Sequence, residues 1–189
     1  MDIPEPFNNI IKTSYAQNNK NIKKFFDNCF EEIIKKLNIT NYQARAAKTG
    51  EMFEYAFWYL IKQNGIELDT NVELKKACMA GAGKLDFGIM NDKSPLCGIE
   101  AKGSSEAVSK RPALKRTDTA KKAIAQAFQF KKIYPNVPFY VVTNVLPTSG
   151  NAKCMLDLAE GDIIDKVVDV TNNTELASFV TALKKIAKP

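Results

Sequence analysis

Apolar residues recur along this chain with two different periods, and the changes of period mark its elements. In "KNIKKFFDNCFEEIIKKL" (20–37), Ile22, Phe26, Cys29, Phe30, Ile33 and Leu37 return every three or four positions with charges between them. That spacing predicts an amphipathic helix. A second helix is expected over 43–64, with Phe53, Phe57, Leu60 and Ile61 on its apolar face and Gly65 as its stop signal. The pattern then becomes that of strands. "IELDTNVELKKACMAGAG" predicts an extended segment, with a strand near 70–78 and a glycine-rich turn at 81–83. "KLDFGIM" and "LCGIEAKG" predict strands over 84–90 and 96–102, joined by "NDKSP". Helical spacing resumes over 119–134, where Ala123, Ala127 and Phe130 share a stripe, and "PFYVVTNVL" (138–146) has the length of a buried strand. A short strand near 165–170 and a helix over 173–187 close the chain. Residues 104–118 are polar and basic, and Pro112 argues against a continuous helix there. This order predicts a mixed α/β fold, with a central mixed β-sheet flanked by helices.

The 189 residues suffice for one domain with a real core. Its expected parts are an N-terminal helical region over about 1–42, a core over about 43–146 and a C-terminal extension over about 147–189. The net charge of +6 suits an anionic partner such as nucleic acid. The chain has no histidine, which excludes serine triads and His-ligated metals. Any catalysis falls to carboxylates, lysine, tyrosine or a hard metal ion. Cys29, Cys78, Cys97 and Cys154 lie far apart without a CxxC pair, which predicts reduced thiols in a cytoplasmic protein. No basic-then-apolar leader is expected, and no apolar run approaches the roughly 20 residues that span a bilayer.

Chemistry concentrates in "GKLDFGIMNDKSPLCGIEAKGS" (83–104), where Asp86, Glu100 and Lys102 interrupt two apolar strands. A charge inside a packed sheet is expensive unless it is paired. A hairpin centred on Lys93 sets Asp86 opposite Glu100, with Lys102 two residues further along the same face. A register slip of one residue would break the arrangement. Two carboxylates so placed repel, and a divalent cation removes the conflict. Mg²⁺ suits this donor set of oxygens, with Asp86, Glu100 and the carbonyl of Ala101 as ligands. Lys102 would stabilise a developing charge on a phosphate. The other such triplet, Glu73-Leu74-Lys75, lacks the facing carboxylate and is expected on a solvated face.

These residues resemble the PD-(D/E)xK nuclease superfamily, through Leu85-Asp86 and Glu100-Ala101-Lys102 on either side of a hairpin. Leu85 stands where the family usually has proline. The resemblance covers about 100 residues and implies a core of helix, three-strand meander, helix and fourth strand, a restriction-endonuclease-like core. It implies Mg²⁺ as cofactor and Asp86, Glu100 and Lys102 as catalytic residues. It further implies an acidic residue on the first core helix, with Glu54 favoured over Glu51, and a glutamine on the later helix, Gln126 ahead of Gln129. Ser104 either touches a phosphate or begins the loop.

After the motif, Lys110, Arg111, Lys115, Arg116, Lys121 and Lys122 outnumber Glu106 and Asp118. Such charges suit phosphate contacts and salt-dependent binding; the alternative is a solvated loop. Arg45 and Lys48 form a smaller second candidate for DNA. The expectation is a Mg²⁺-dependent endonuclease for double-stranded DNA, within that a type II restriction enzyme working as a homodimer. The helices over 20–37 and 173–187 are the candidates for its dimer surface. A structure-specific nuclease, an RNA-directed nuclease and a non-catalytic DNA-binding module remain as alternatives.

Overall fold

The computed structural model describes residues 1–74, 83–92, 94–108 and 111–188. The expected turn at 81–83, the end of the first expected strand, Lys93 and Lys110 therefore fall wholly or partly outside the described residues. Helices α1 (Glu5–Asn18), α2 (Ile22–Lys36) and α3 (Tyr42–Gln63) come first. Strands β1 (Asp69–Glu73), β2 (Lys84–Asn91) and β3 (Ser94–Ala101) follow. After two short 3₁₀ turns come α4 (Thr117–Ile133), β4 (Phe139–Thr143), α5 (Gly150–Ala159), β5 (Lys166–Asp169) and α6 (Asn173–Ile186). The expected mixed α/β fold is therefore present. The pattern overlooked α1 and α5. In α1 the buried positions are Phe7, Ile11, Ser14 and Asn18, so half the buried stripe is polar. In α5 the buried residues are Ala152, Leu156 and Ala159, two of them small.

The strands lie in sequence order, β1-β2-β3-β4-β5. The first three form an antiparallel meander, and β3, β4 and β5 run parallel. Parallel neighbours need crossovers, and α4 and α5 supply them. Both crossover helices lie on one face of the sheet, where Ala123, Ala127, Phe130, Leu156, Phe139 and Val141 share a core. Helices α1, α2, α3 and α6 cover the other face, joining Phe26, Phe53, Phe57 and Phe179 to Phe87, Ile99 and Val142. The apolar faces of α2 and α6, the two helices named as candidates for a dimer surface, are spent inside the chain, so any such contact would use their polar faces. Trp58 donates to the Leu68 carbonyl, and Tyr134 and Tyr140 pack on Phe130 and Phe179, which makes these aromatics part of the packing.

Two irregularities shape the hairpin. At its tip Asn91 pairs with Ser94 and Met90 with Pro95, but Ile89 pairs with Cys97. Leu96 is therefore an extra residue, a β-bulge. Continued from the tip, the register would set Asp86 against Ile99. The bulge moves it by one, so that Phe87 faces Ile99 and Asp86 is next in line with Glu100. The expected alignment at the site holds, but through the bulge and not through a loop centred on Lys93. The second irregularity lies beside Asp86. Thr70 pairs with Phe87 and Val72 with Leu85, and between them Asn71 takes a left-handed φ of 52°. Phe87 packs with the α1–α3 layer, while Leu85 packs with the α4 layer. Regular alternation would put both on one face, so the pleat breaks at Asp86.

Helix α3 reaches the end of β3 through glycine. A Cβ at Gly103 would overlap the ring of Phe53, and one at Gly50 would touch the Gly103 carbonyl at 3.7 Å. The chain just beyond Lys102 thus lies flat against α3, one residue from Glu54. Gly103→Ala should lower stability by about 1–3 kcal/mol, the range for overpacking a tight core, read as a lower urea midpoint at unchanged slope. An unchanged midpoint would show that this contact does not fix α3.

Candidate active site

Three charged side chains converge where the β2–β3 ladder opens. The ladder's last backbone pair is Phe87–Ile99. Beyond it, the Ala101 N–H donates to Asp86 Oδ2 at 2.8 Å, so a carboxylate takes a ladder donor. Lys102 Nζ lies 3.3 Å from Asp86 Oδ2, 2.5 Å from Glu100 Oε1 and 3.1 Å from the Ala101 carbonyl. The backbone of Lys102 is held separately, its N–H donating to Val142 in β4 at 2.9 Å. Glu100 is 4% exposed, and its second oxygen, Oε2, is buried without a hydrogen-bond partner.

Burial dominates the electrostatics. It pushes the Glu100 carboxyl up to about 7, helped by the Asp86 charge and opposed by Lys102. Burial alone would lower Lys102, but Glu100 and Asp86 outweigh it and hold the ammonium above its usual range. Glu54 is also pushed up to about 7, by burial first and then by Asp86, with Lys102 opposing and Glu100 adding to the rise. Glu54 therefore stands within electrostatic reach of all three residues. Glu51 does not share that position: it accepts from Lys48 at 2.6 Å and from the Tyr55 hydroxyl at 3.3 Å.

A cleft of about 200 Å³ opens beside Lys102. Its α3 wall is Tyr42, Ala46, Gly50 and Glu54, a stripe at four-residue spacing. The opposite walls include Ala101 to Ser104, Arg111, Arg116 and Thr119. Arg45 and Lys48 lie off that stripe. Arg45 donates to the Ile39 carbonyl at 2.8 Å, and Lys48 pairs with Glu51 and sits over the Phe7 ring, so both brace the helical layer. Of the basic segment, Arg111 and Arg116 reach the cleft, with Arg116 gripped by Asp118 through two bonds. Lys115 pairs with Glu106 at 3.2 Å, and Lys121 and Lys122 are exposed on α4.

Ser104 begins the loop. Its N–H and carbonyl are clasped by the Asn144 side chain at 3.0 and 2.9 Å, and its hydroxyl accepts from Ala113 N–H at 3.0 Å. Gln126 donates to the Lys84 carbonyl at 2.8 Å, pinning β2 two residues before Asp86. Sequence reasoning missed Asn144 and Tyr42. The stripe running back from Glu54 would have indicated Tyr42; Asn144, 40 residues from its partner, left no local signal.

Among the described residues no three His, Cys, Asp or Glu side chains cluster closely enough to share one ion. The donors are instead two carboxylates and a carbonyl, which fit Mg²⁺ because that ion is commonly held by one or two carboxylates and keeps several waters. The orphaned Glu100 Oε2 supports the fit, since a buried acceptor without a partner is costly. Among the described residues no helix is long and apolar enough to cross a membrane. No protein-family model matches the chain, and no curated protein compared with it is similar.

The raised Glu54 carboxyl has a consequence for stability. A carboxyl whose folded pKa stands above its unfolded value favours the fold at low pH, and this advantage is lost as pH rises through the folded pKa. For Glu54 the window runs from about 4.5 to about 7. In EDTA, the melting temperature of Glu54→Gln relative to wild type should rise between pH 5 and pH 8 by about 4–8 °C, the equivalent of roughly 2 kcal/mol in a domain of this size. A constant difference would mean that Glu54 is not held out of water near the other charges.

Proposed function

We propose that this chain is a Mg²⁺-dependent endonuclease of the PD-(D/E)xK type that hydrolyses phosphodiester bonds in double-stranded DNA, and within that a type II restriction enzyme. The observation that carries the reading is the convergence of Asp86, Glu100, Lys102 and the Ala101 carbonyl beside a cleft that also holds Glu54, Arg111 and Arg116. Apolar residues would serve stability better than a buried charged triple, so its presence favours chemistry. The order α3, β1-β2-β3, α4, β4 is also the one the resemblance implies.

In this reading Asp86, Glu100 and the Ala101 carbonyl hold the ion. The ion, when bound, supplies Lewis-acid polarisation of the phosphate and lowers the pKa of a bound water. Lys102 sets its ammonium against the attacking water or a non-bridging phosphate oxygen. Glu54, its carboxyl poised near neutrality, accepts the water's proton. Arg111 and Arg116 face the neighbouring phosphate charge across the cleft, and Lys121 and Lys122, exposed on α4, add cationic surface. Asn144, Gly103 and Gln126 act behind these groups by fixing the backbone that carries them. Water attack leaves a 5′-phosphate and a 3′-hydroxyl. Cutting both strands of a palindrome takes two copies of a single-site chain. Their contact would use surface other than the apolar faces of α2 and α6.

Plasmid and bacteriophage DNA incubated with the protein should give discrete fragments in Mg²⁺, none in EDTA and none with Lys102→Ala. A smear or simple nicking that still needs Mg²⁺ and Lys102 would shift the reading to a structure-specific nuclease. Wild-type protein that binds DNA but cuts none of a varied set of substrates would overturn the nuclease reading in favour of a binding module.

A further inference from the structure

The Lys102 ammonium stands where a cation would stand. Its three close oxygens, Glu100 Oε1, Asp86 Oδ2 and the Ala101 carbonyl, are the donors that suit a divalent ion. Mg²⁺ binds oxygen at about 2.0–2.1 Å. An ion on these donors and an ammonium within 3.3 Å of each would compete for the same three oxygens. We propose that Lys102 is the resident counter-ion of this oxygen site, and that a divalent metal and the ammonium occupy it in turn, never together. The inference rests on the metal reading of the site and adds the regulation of its loading.

Three features support such an exchange. The carboxylates are near each other and largely out of water, so the protein without metal needs an internal positive charge to hold them. The ammonium serves that need incompletely: Glu100 Oε2 keeps no hydrogen-bond partner, and an ion with more coordination positions could take it. Finally, the ammonium has somewhere to go. The Lys102 side chain is 20% exposed and lines the cleft, whose α3 wall presents the Glu54 carboxyl. Its backbone stays pinned to Val142, so rotation of the side chain suffices. Metal binding would then release the ammonium into the cleft, where a phosphate would lie. A lysine engaged by two carboxylates is weakly available to substrate, and a lysine displaced by metal is free to act.

The test reads metal binding directly. Free Mn²⁺ is titrated by electron paramagnetic resonance at pH 8 against wild type, Lys102→Met, Lys102→Gln and the double variant Lys102→Met/Glu100→Gln, each checked for native circular dichroism. Removing the competitor should tighten Mn²⁺ binding by about tenfold or more in both single variants, and the double variant should lose that gain. Lys102→Gln, which keeps a polar group, guards against a folding defect in Lys102→Met. Equal or weaker binding by both single variants, with wild type binding Mn²⁺ and cutting DNA, would overturn the exchange and leave the nuclease reading standing. If neither wild type nor the single variants bind Mn²⁺ at millimolar concentration, the metal reading falls and the exchange falls with it.

Discussion

The structure depends on three charges held together where water is scarce. Lys102 stands between the Asp86 and Glu100 carboxylates, which repel each other, and removing the ammonium would leave two largely buried acids without an opposite charge. The surrounding fold is arranged to bring them to that point. The break in the pleat at Asp86 lets its carboxylate take a ladder donor from Ala101. The parallel pairing with β4 fixes the Lys102 backbone, and α3 presses Glu54 in from above through the flat contact of Phe53 on Gly103. The wide aromatic core on one side of the sheet and the alanine-rich seam on the other hold these segments rigid. Rigidity matters because a site built on strand ends is only as exact as the strands.

Much of this was legible in the sequence. Long apolar periodicities located α2, α3, α4 and α6 to within a few residues, since tertiary packing and local pattern agree there. The charges of the hairpin were conspicuous because they interrupt apolar strands. What stayed hidden follows from physics that a linear pattern does not carry. Helix α1 buries Ser14 and Asn18, and α5 buries alanines, so neither shows a strong apolar stripe. The Leu96 bulge has no marker residue, and the correct alignment of Asp86 with Glu100 came from a loop centre that the structure places elsewhere.

The cations divide in a similar way. Arg45, Lys48 and Lys115 read as available charge in the sequence, yet each has a partner in the fold. Ser104, read as either a phosphate contact or the start of the loop, and Gln126, expected near the site, both tie backbone segments together, one through Asn144 and the other through Lys84. Sequence composition counts charges, but only packing shows which have already been committed to holding the molecule in shape. The net positive charge is therefore a poor measure of how much cationic surface stays open: even Arg116, at the cleft, is held by Asp118.

The bulge at Leu96 also governs how this hairpin can change over evolutionary time. Side chains along a strand follow a parity rule, and Glu100 keeps the right parity with Asp86 only because one odd residue sits between the turn and the site. A residue gained or lost between Cys97 and Glu100 would invert that parity and send a carboxylate into the opposite layer. The same change in the turn beyond Asn91 and Ser94 can be absorbed there without moving Phe87 from Ile99. The turn is thus free to drift in length and sequence while the charged end is locked. A defect in the ladder insulates one from the other.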